Sequence, residues 1–392
     1  MARAHGRTGA RGPVGSGRAA AAARPRAGRV AVRCAATALA TALAAAALGA
    51  CTSAPDRATG PARTTAHRTS LPASCPVSSL LVPACGAWWG AAVEPAGRQS
   101  QVDAVKAFER RIGRPVPIVH LYHRGGDLFP TQAERALVDD PSTPRVLFFN
   151  WRPEGALTWS EVAAGGADDR IDRLARRLRA TLHEPFFLSI DAEPEDEVVP
   201  SAGSGRTAAD YRQMFRHVVQ RLRNDGVRGA VTVMDYIATA NWVAKPWFAA
   251  LYPGNDVVDW LAVDTYLRQS EGVTADFAAL VHGSRHSVPG WPGFLAWAAA
   301  VAPGKPVMLG EWGAITDRAH EQLKVDLLRE FAATAPELPQ IKAYVYWSSA
   351  RQLPVNGGSG TGDTRIDASE RTIEAFVDAV REPWFSRVRL PR

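Results

Sequence analysis

Short apolar runs alternate along this chain with stretches in which apolar residues recur every three or four positions. From about Ser74 onward, eight such runs are rich in Val, Ile, Leu, Phe and Trp, and they are continuous rather than alternately polar and apolar. Continuous apolar strands are typical of a parallel sheet that is buried on both faces. The pattern predicts strands over residues 86–93, 116–122, 145–151, 186–191, 229–234, 261–266, 306–311 and 343–347.

The segments between these strands carry helical periodicity. In residues 101–112, Val102, Val105, Phe108 and Ile112 are spaced three or four positions apart, which places them on one face of a helix. Eight strand–helix units in one domain predict a closed (β/α)8 TIM barrel of the α/β class. A doubly wound open sheet is the alternative, but no glycine-rich phosphate loop follows the first strand. Further helices are predicted over residues 168–182, 208–224, 319–335 and 369–380.

The charge of the chain is unevenly distributed. Residues 1–70 hold eleven arginines and one acidic residue, Asp56, for a net charge of +10, whereas the whole chain carries +7. Residues 71–392 are therefore net negative, at −3. A nucleic-acid-binding domain is expected to carry its basic patch on the folded part. The distribution of charge thus predicts no nucleic-acid partner.

The N-terminal residues are typical of an export signal. Several arginines precede an apolar run over residues 35–50, which is shorter than the roughly 20 residues that span a bilayer and suits a secretory signal. The run ends in Leu-Gly-Ala-Cys51, which resembles a bacterial lipobox, where the cysteine is acylated. An ordinary small-residue cleavage site beside a chance cysteine is the alternative. We therefore expect secretion across the bacterial cytoplasmic membrane and a lipid anchor at Cys51 on its outer face.

These assignments define three segments and leave two cysteines to explain. Residues 1–50 are predicted to be the signal, residues 51–73 a flexible tether with almost no large apolar side chains, and residues 74–392 the folded domain. With Cys34 in the signal, Cys75 and Cys85 are the pair left in an exported domain. An oxidising environment predicts a disulfide between them. Two buried free thiols are the alternative.

Two glutamates end predicted strands. The fourth strand leads into Glu193 and the seventh into Glu311. In a (β/α)8 barrel the C-terminal ends of the strands open at the face where the chemistry takes place. Glycoside cleavage needs one carboxylic acid to protonate the leaving oxygen and one carboxylate to attack the anomeric carbon or to activate water. We therefore predict a glycoside hydrolase that uses this pair and requires neither a metal nor a cofactor.

Several motifs around these glutamates resemble glycoside hydrolase family 26, the β-mannanase group. The motifs are Ala-Glu-Pro-Glu at residues 192–195 and Gly-Glu-Trp-Gly at residues 310–313, supported by Asn-Trp-Arg-Pro at residues 150–153 and by residues 252–266. The resemblance extends from about Cys85 to Trp347. It implies a retaining endo-β-glycosidase with Glu193 as the acid/base and Glu311 as the nucleophile. β-1,4-Mannan is the first expected substrate, while mixed-linkage β-glucan and β-1,3-xylan also fit the family.

The resemblance also implies how the substrate is held. Tyr266 would donate a hydrogen bond to Glu311 and keep its pKa low. Tryptophans at strand ends would stack on sugar rings, although for any single tryptophan a place in the core is as consistent with the sequence. His120 either lines the cleft or belongs to the core. The expected substrate-binding residues are Trp89, His120, Trp151, Asp191, Tyr266, Trp312 and Trp347.

One position departs from the family pattern. The family usually has a histidine directly before the acid/base, whereas this chain has Ala192, whose side chain cannot form a hydrogen bond. If the strand stays regular, Asp191 and Glu195 lie on the same face as Glu193. Their charges would then raise the pKa of Glu193. The competing interpretation is that the alanine marks weakened or altered activity.

The sequence thus predicts an extracellular, lipid-anchored, monomeric endo-β-glycosidase that acts on a polysaccharide. A non-catalytic glycan-binding lipoprotein on a decayed barrel is the alternative, and the presence of both Glu193 and Glu311 favours the enzyme. A substrate-binding lipoprotein of a transporter would have two lobes and a hinge, whereas this chain shows one uninterrupted series of strand–helix units.

Overall fold

A computed structural model describes residues 74–283, 287–388 and 390. The predicted signal at residues 1–50, the lipidation site Cys51 and the tether at residues 51–73 lie outside the described residues. Every described residue belongs to one compact unit, His67–Arg392. Of the helices in the described ranges, none combines the length and the apolar character needed to cross a membrane.

Eight parallel strands close into a barrel in which each strand pairs with the next and the last pairs with the first. The (β/α)8 barrel predicted from the sequence is therefore confirmed. A short antiparallel hairpin follows the eighth strand. The strands are β1 (Trp88–Val93), β2 (Ile118–Arg124), β3 (Val146–Arg152), β4 (Phe186–Ile190), β5 (Ala230–Tyr236), β6 (Trp260–Arg268), β7 (Val307–Ile315), β8 (Ile341–Ser348), β9 (Leu353–Val355) and β10 (Gly360–Gly362).

Helices surround the barrel, and local signals in the sequence fix their ends. Ser100 caps the first helix by accepting a hydrogen bond from the Asp103 N–H, and Gly113 ends it with a φ of 68°, a conformation that glycine adopts without strain. The helices are α1 (Gln101–Ile112), α2 (Gln132–Val138), α3 (Trp159–Ala163), α4 (Asp168–Thr181), α5 (Ala208–Asn224), α6 (Ala240–Val243), α7 (Phe277–His282), α8 (Phe294–Val301), α9 (Glu321–Thr334), α10 (Glu370–Arg381) and α11 (Pro383–Ser386).

The chain before β1 covers the N-terminal end of the barrel. There the indole N–H of Trp88 donates to the carbonyl of Leu81 over 2.8 Å, and that of Trp260 donates to the carbonyl of Leu80 over 2.7 Å. A disulfide joins Cys75 to Cys85 in this segment. The covered end leaves the C-terminal face as the open end of the barrel.

A bulge in β7 decides where Glu311 points. Met308 packs inside the barrel and Leu309 packs outside it, so regular alternation would turn residue 311 outward. The pairing of β6 with β7 skips Gly310, and such an extra residue re-aims the side chains that follow it. Glu311 consequently faces the interior, where it meets Tyr122.

The bulge depends on the absence of a side chain at Gly310. A Cβ atom there would overlap Asp235 Oδ2 and lie 2.8 Å from Asp264 Oδ1. We expect Gly310→Ala to lower the free energy of unfolding by about 1–3 kcal/mol, as overpacking typically does, measured by urea denaturation. Gly126→Ala is the matched control, because a Cβ at Gly126 would have no atom within 4 Å. Equal effects of the two substitutions would contradict this account of the bulge.

Candidate active site

Both carboxylate oxygens of Glu311 accept hydrogen bonds from tyrosines. The hydroxyl of Tyr122, on β2, donates to Oε1 over 2.6 Å. The hydroxyl of Tyr266, on β6, donates to Oε2, as the family resemblance implied. Three strands thus fix one carboxylate, and its two oxygens are held in a defined orientation.

Glu193 lies in a tight turn directly after β4. The strand ends at Ile190, and Asp191 and Glu193 adopt φ values of 51° and 59°, in the left-handed region that non-glycine residues rarely occupy. The backbone N–H of Glu193 donates to the carbonyl of Asp235 on β5 over 3.1 Å. Strained backbone of this kind is found at active sites when the surrounding structure fixes it. The turn holds the Glu193 side chain, which is partly exposed, at the mouth of the barrel.

The surroundings of the two glutamates separate their protonation states. Burial, followed by the charges of Glu311 and Asp235, raises the pKa of Glu193 well above its usual value. Burial also raises the pKa of Glu311, but the hydroxyls of Tyr122 and Tyr266 oppose this rise, because a hydrogen bond to a carboxylate favours its charged form. Tyr266 therefore lowers the pKa of Glu311, as the resemblance implied, but burial raises this pKa by more. The result favours a proton on Glu193 and a negative charge on Glu311, the division that an acid and a nucleophile require.

The two tyrosines provide a direct test of this electrostatic arrangement. We expect Tyr266→Phe or Tyr122→Phe to move the acidic limb of the kcat/KM profile to higher pH, because Glu311 loses a donor that favours its charged form. A hydrogen bond to a charged group contributes ~1.5–3 kcal/mol, which corresponds to about one to two pH units. Tyr344→Phe is the control, since the Tyr344 hydroxyl is buried 3.5 Å from the Ala335 carbonyl. An acidic limb that stays in place in both active-site variants would contradict the assignment.

Asp191 does not contact the cleft, which corrects its prediction as a substrate-binding residue. Its side chain is fully buried, with Oδ2 accepting a hydrogen bond from the indole of Trp159 over 2.7 Å and Oδ1 lying 3.2 Å from Arg152 Nε. Because β4 ends at Ile190, the regular alternation that would have placed Asp191 beside Glu193 is broken.

Glu195 supports the turn that holds Glu193. Its Oε1 accepts hydrogen bonds from the backbone N–H groups of Ile237 and Ala238, each 3.0 Å long, and its charge is among the smaller contributions that raise the pKa of Glu193. The N–H of Ala192 donates to Asn150 Oδ1 over 3.3 Å. Backbone contacts therefore hold this turn, in which Ala192 replaces the family's histidine.

Three of the four predicted tryptophan platforms lie in the core, which is a correction of the sequence-based interpretation. Trp89, Trp151 and Trp312 are at most 3% exposed and belong to the cluster between the strands and the outer helices, because they occupy outward-facing strand positions. A buried indole cannot stack on a sugar ring. Trp347 differs, since it is partly exposed and packs against Tyr266, with the two ring centroids 5.7 Å apart.

His120 belongs to the interior of the barrel, as the core alternative proposed. Its ring stacks between Phe148 and Tyr122, with centroid separations of 3.9 Å and 4.5 Å. Burial lowers its pKa to about 3, against a smaller opposing effect of the backbone of Gly310. The imidazole is therefore neutral and supports Tyr122 from below.

A group of acidic side chains beside the cleft is arranged as an ion-pair network. Carboxylate oxygens of Glu154, Asp191 and Glu197 lie within 4.8 Å of one another, a spacing that a metal ion could bridge. However, Arg152 contacts Glu197 over 2.5 Å, and Arg206 contacts the same side chain over 2.8 Å. The two guanidinium groups already balance most of the negative charge, so the network anchors the loop after β4.

The sequence reasoning missed three residues of this site. Tyr122 could have been predicted, because it lies two residues after His120 on β2 and its side chain therefore points to the same, inner side of the barrel. Asp235 and Asp264 are acidic residues within strongly apolar strands, and such residues are rarely buried without a partner. Both are at most 3% exposed and lie beneath the two glutamates.

Comparison with known proteins relates the chain to one enzyme family. Residues 201–287 match the family described as glycosyl hydrolase family 26, which confirms the resemblance stated from the sequence. A stretch of 108 residues is 31% identical to the β-1,3-xylanase TXYA of a Vibrio species and 30% identical to a β-1,3-xylanase of an Alcaligenes species. Each match covers 28% of this chain and 22% of the other protein, so it spans about a fifth of the length of these xylanases.

Solved structures share the barrel. The family 26 domain of an endo-β-mannanase/endo-β-glucanase from Prevotella bryantii superposes with a TM-score of 0.52 at 13% identity, over 78% of this chain and 92% of that chain. The mannanase BCman of Bacillus subtilis gives a TM-score of 0.50 at 12% identity, over 76% of this chain and 86% of that chain. At such identities the likeness concerns the fold alone.

Proposed function

We propose that this chain, which is related to glycosyl hydrolase family 26, is a retaining endo-β-glycosidase that acts on a β-linked polysaccharide. The observation that carries this proposal is the arrangement of the two glutamates. Glu311 is oriented through both of its oxygens, and Glu193, whose pKa is raised most strongly by burial and next by the charge of Glu311, lies at the same open end of the barrel. An acid and a nucleophile at one mouth are the equipment of a two-step glycoside hydrolysis.

The residues divide the reaction into two steps. In the first, Glu193 gives its proton to the glycosidic oxygen while a carboxylate oxygen of Glu311 bonds to the anomeric carbon, so that the bond to the leaving sugar breaks. In the second, the ionised Glu193 takes a proton from water as the water oxygen attacks the same carbon and releases Glu311. Tyr122 and Tyr266 stabilise the carboxylate that departs in this second step, because their hydroxyls already point at its oxygens.

The sugar chain requires an apolar surface as well as the two acids. Trp347 is the predicted tryptophan platform that remains partly exposed, and it packs edge to face against Tyr266 beside Glu311. An aromatic ring in this position can stack on the C–H face of a sugar bound next to the cleaved bond. Trp347 is therefore our proposed platform.

Two substrates are candidates. β-1,4-Mannan is proposed from the resemblance of the glutamate motifs to the β-mannanase group, and the neighbours from Bacillus and Prevotella carry mannanase names. β-1,3-Xylan is the second candidate, because the two sequence relatives at 30–31% identity are named β-1,3-xylanases.

The test is product formation by the purified full chain on mannan, β-1,3-xylan and mixed-linkage β-glucan, read by chromatography with Glu311→Gln as the control. We expect oligosaccharides from one polymer, and NMR spectra in which the first-formed product keeps the β configuration. An initial α product would rule out retention. Binding without product release from any polymer would instead support the alternative of a glycan-binding lipoprotein.

We also propose that the enzyme is secreted and lipid-anchored through Cys51, on the basis of the apolar run that ends at this cysteine. Metabolic labelling with a radioactive fatty acid tests this proposal. Label is expected in the wild-type chain and not in Cys51→Ala, while Cys34→Ala serves as the matched control. Equal labelling of Cys51→Ala and the wild type would exclude the anchor.

A further inference from the structure

Two buried aspartates meet beneath the catalytic glutamates. Asp235, on β5, is 0% exposed and Asp264, on β6, is 3% exposed. Their side chains converge at the bulge in β7, where the missing side chain of Gly310 leaves space for Asp235 Oδ2 and Asp264 Oδ1. The reaction steps described above do not use either aspartate.

As two separate carboxylates, these side chains would have fewer hydrogen-bond donors than their buried oxygens require. Within the described part of the chain, both oxygens of Asp235 and Oδ1 of Asp264 are buried without a hydrogen bond of normal geometry, although the backbone N–H of Tyr236 lies close enough to Asp235 to oppose the rise in its pKa. A carboxylate buried without donors is strongly disfavoured. A protonated carboxyl group, in contrast, is itself a donor, so one proton between the two aspartates gives the pair an internal hydrogen bond.

Among the described residues, the largest charge effects on the pair come from other carboxylates and not from a cation. Burial, followed by the charge of Glu311, raises the pKa of Asp235 well above its usual value, although a hydrogen bond with Asp264 opposes this rise. Burial, followed by the charge of Asp235, raises the pKa of Asp264 well above its usual value, and His120 is neutral because burial lowers its pKa to about 3. Double ionisation is therefore disfavoured, and a single shared charge is the state that the surroundings accommodate. The titratable groups that interact with the pair are Glu193 and Glu195 from the end of β4, Glu311 from β7, Tyr122 from β2, Tyr266 from β6 and Tyr211 from α5, while His120 from β2 lies beside Gly310.

We propose that Asp235 and Asp264 share a single proton as an acid–carboxylate pair, whose one negative charge keeps Glu193 in its protonated form. The backbone supports the same role, because the carbonyl of Asp235 accepts the N–H of Glu193 over 3.1 Å. The two aspartates are positioning residues rather than catalytic ones. The assignment of Glu193 as the acid rests on the proposed function, whereas the shared proton does not.

The pair has a distinct effect in the second half of the reaction. Once Glu311 has bonded to the sugar, its charge is gone and Glu193 loses the neighbour that contributes the largest charge effect on its pKa. The charge of the aspartate pair remains. It limits the fall in the pKa of Glu193, so that the ionised Glu193 stays basic enough to take a proton from water.

Asparagine variants distinguish the possible charge states of the pair. In Asp235→Asn or Asp264→Asn an amide replaces the protonated partner and the charge of −1 remains, so the basic limb of the kcat/KM profile should keep its position, whatever happens to kcat. In the double variant the charge is lost, and the basic limb should move to lower pH by about one unit. A shift of the basic limb in each single variant would show that both aspartates are ionised. An unchanged basic limb in the double variant would show that neither aspartate is ionised. Either result overturns the proposal.

Infrared spectroscopy tests the shared proton without relying on activity. In a Glu193→Gln background, which removes the acid's own proton, we expect the aspartate pair to give a carboxylic-acid C=O band at neutral pH, and a difference spectrum to show its loss on adding Asp235→Asn. The buried carboxyls of Asp191 and Glu195, whose pKa burial raises to about 7, absorb in both samples and cancel in the difference. Thermal unfolding establishes that each variant is folded, and the two single variants suffice if the double variant does not fold. Persistence of the band overturns the shared proton. If the chain releases no sugar from any polymer, the proposed function fails, but the infrared band still shows whether the two aspartates share a proton. The two failures can therefore be told apart.

Discussion

Glu311→Gln is expected to abolish turnover, by at least about 10⁴-fold, as replacement of a nucleophile typically does. The amide has the shape of the carboxylate, so the surrounding barrel is expected to keep its structure. It lacks the charge that attacks the anomeric carbon. It also presents an N–H group to one of the two hydroxyls, Tyr122 or Tyr266, that now donate to Glu311. Initial rates on the polymer that the wild type cleaves, together with thermal unfolding, measure both consequences.

Glu184→Gln is the matched control for this variant. Glu184 precedes β4 at the opposite end of the barrel and pairs with Arg135 over 2.6 Å. We expect this change to leave turnover within a factor of about two, since pairs exposed to solvent contribute little to stability. Substantial activity in Glu311→Gln would remove Glu311 from the reaction and with it the two-step mechanism.

Glu193→Gln is expected to slow polymer hydrolysis by about 10²–10⁴-fold, the usual contribution of a positioned general acid. The loss should depend on the leaving group. With an aryl glycoside whose phenol departs without protonation, the first step needs no acid, and a burst of phenol should appear before a slow second step. The basic limb of the pH profile, which reports the proton on Glu193, should disappear on the polymer.

Asp196→Asn controls for the general loss of a carboxylate in the same turn. Asp196 is exposed, and its charge raises the pKa of Glu193 less than burial, Glu311 and Asp235 do. We expect the control to keep most of the turnover and to move the basic limb only slightly to lower pH. Equal losses in the two variants on both substrates would mean that the turn matters structurally and that Glu193 is not the acid.

The electrostatics of the site form one connected system. The pKa values of Glu193, Asp235 and Asp264 respond to burial first and to the charge of a neighbouring carboxylate next. Tyrosine hydroxyls oppose the effect of burial only at Glu311. A barrel mouth in which four carboxyl groups meet thus favours ionisation of one glutamate and protonation of the other.

The sequence by itself determined the architecture and the two glutamates. Eight continuous apolar runs separated by amphipathic stretches need helices to cover their strands, and without a glycine-rich phosphate loop the closed barrel is favoured over an open sheet, as the structure shows. A glutamate at the end of an apolar strand must lie at the open face. Helices with clear periodicity and capping residues, such as α1 and α5, begin and end where the sequence predicts.

Only the tertiary structure decided which side chains face the cleft. The bulge at Gly310 reverses the facing of Glu311, and the turn after Ile190 directs Asp191 to Trp159 and away from the cleft. Such irregularities arise from packing between strands that are distant in the sequence, and no local pattern encodes them. The tryptophans could not be assigned from the sequence for the same reason. An indole at the end of a strand is equally apolar whether it faces the cleft or the outer helices. Burial of the outward face against the helices leaves Trp347, with the two tyrosines, beside the glutamates.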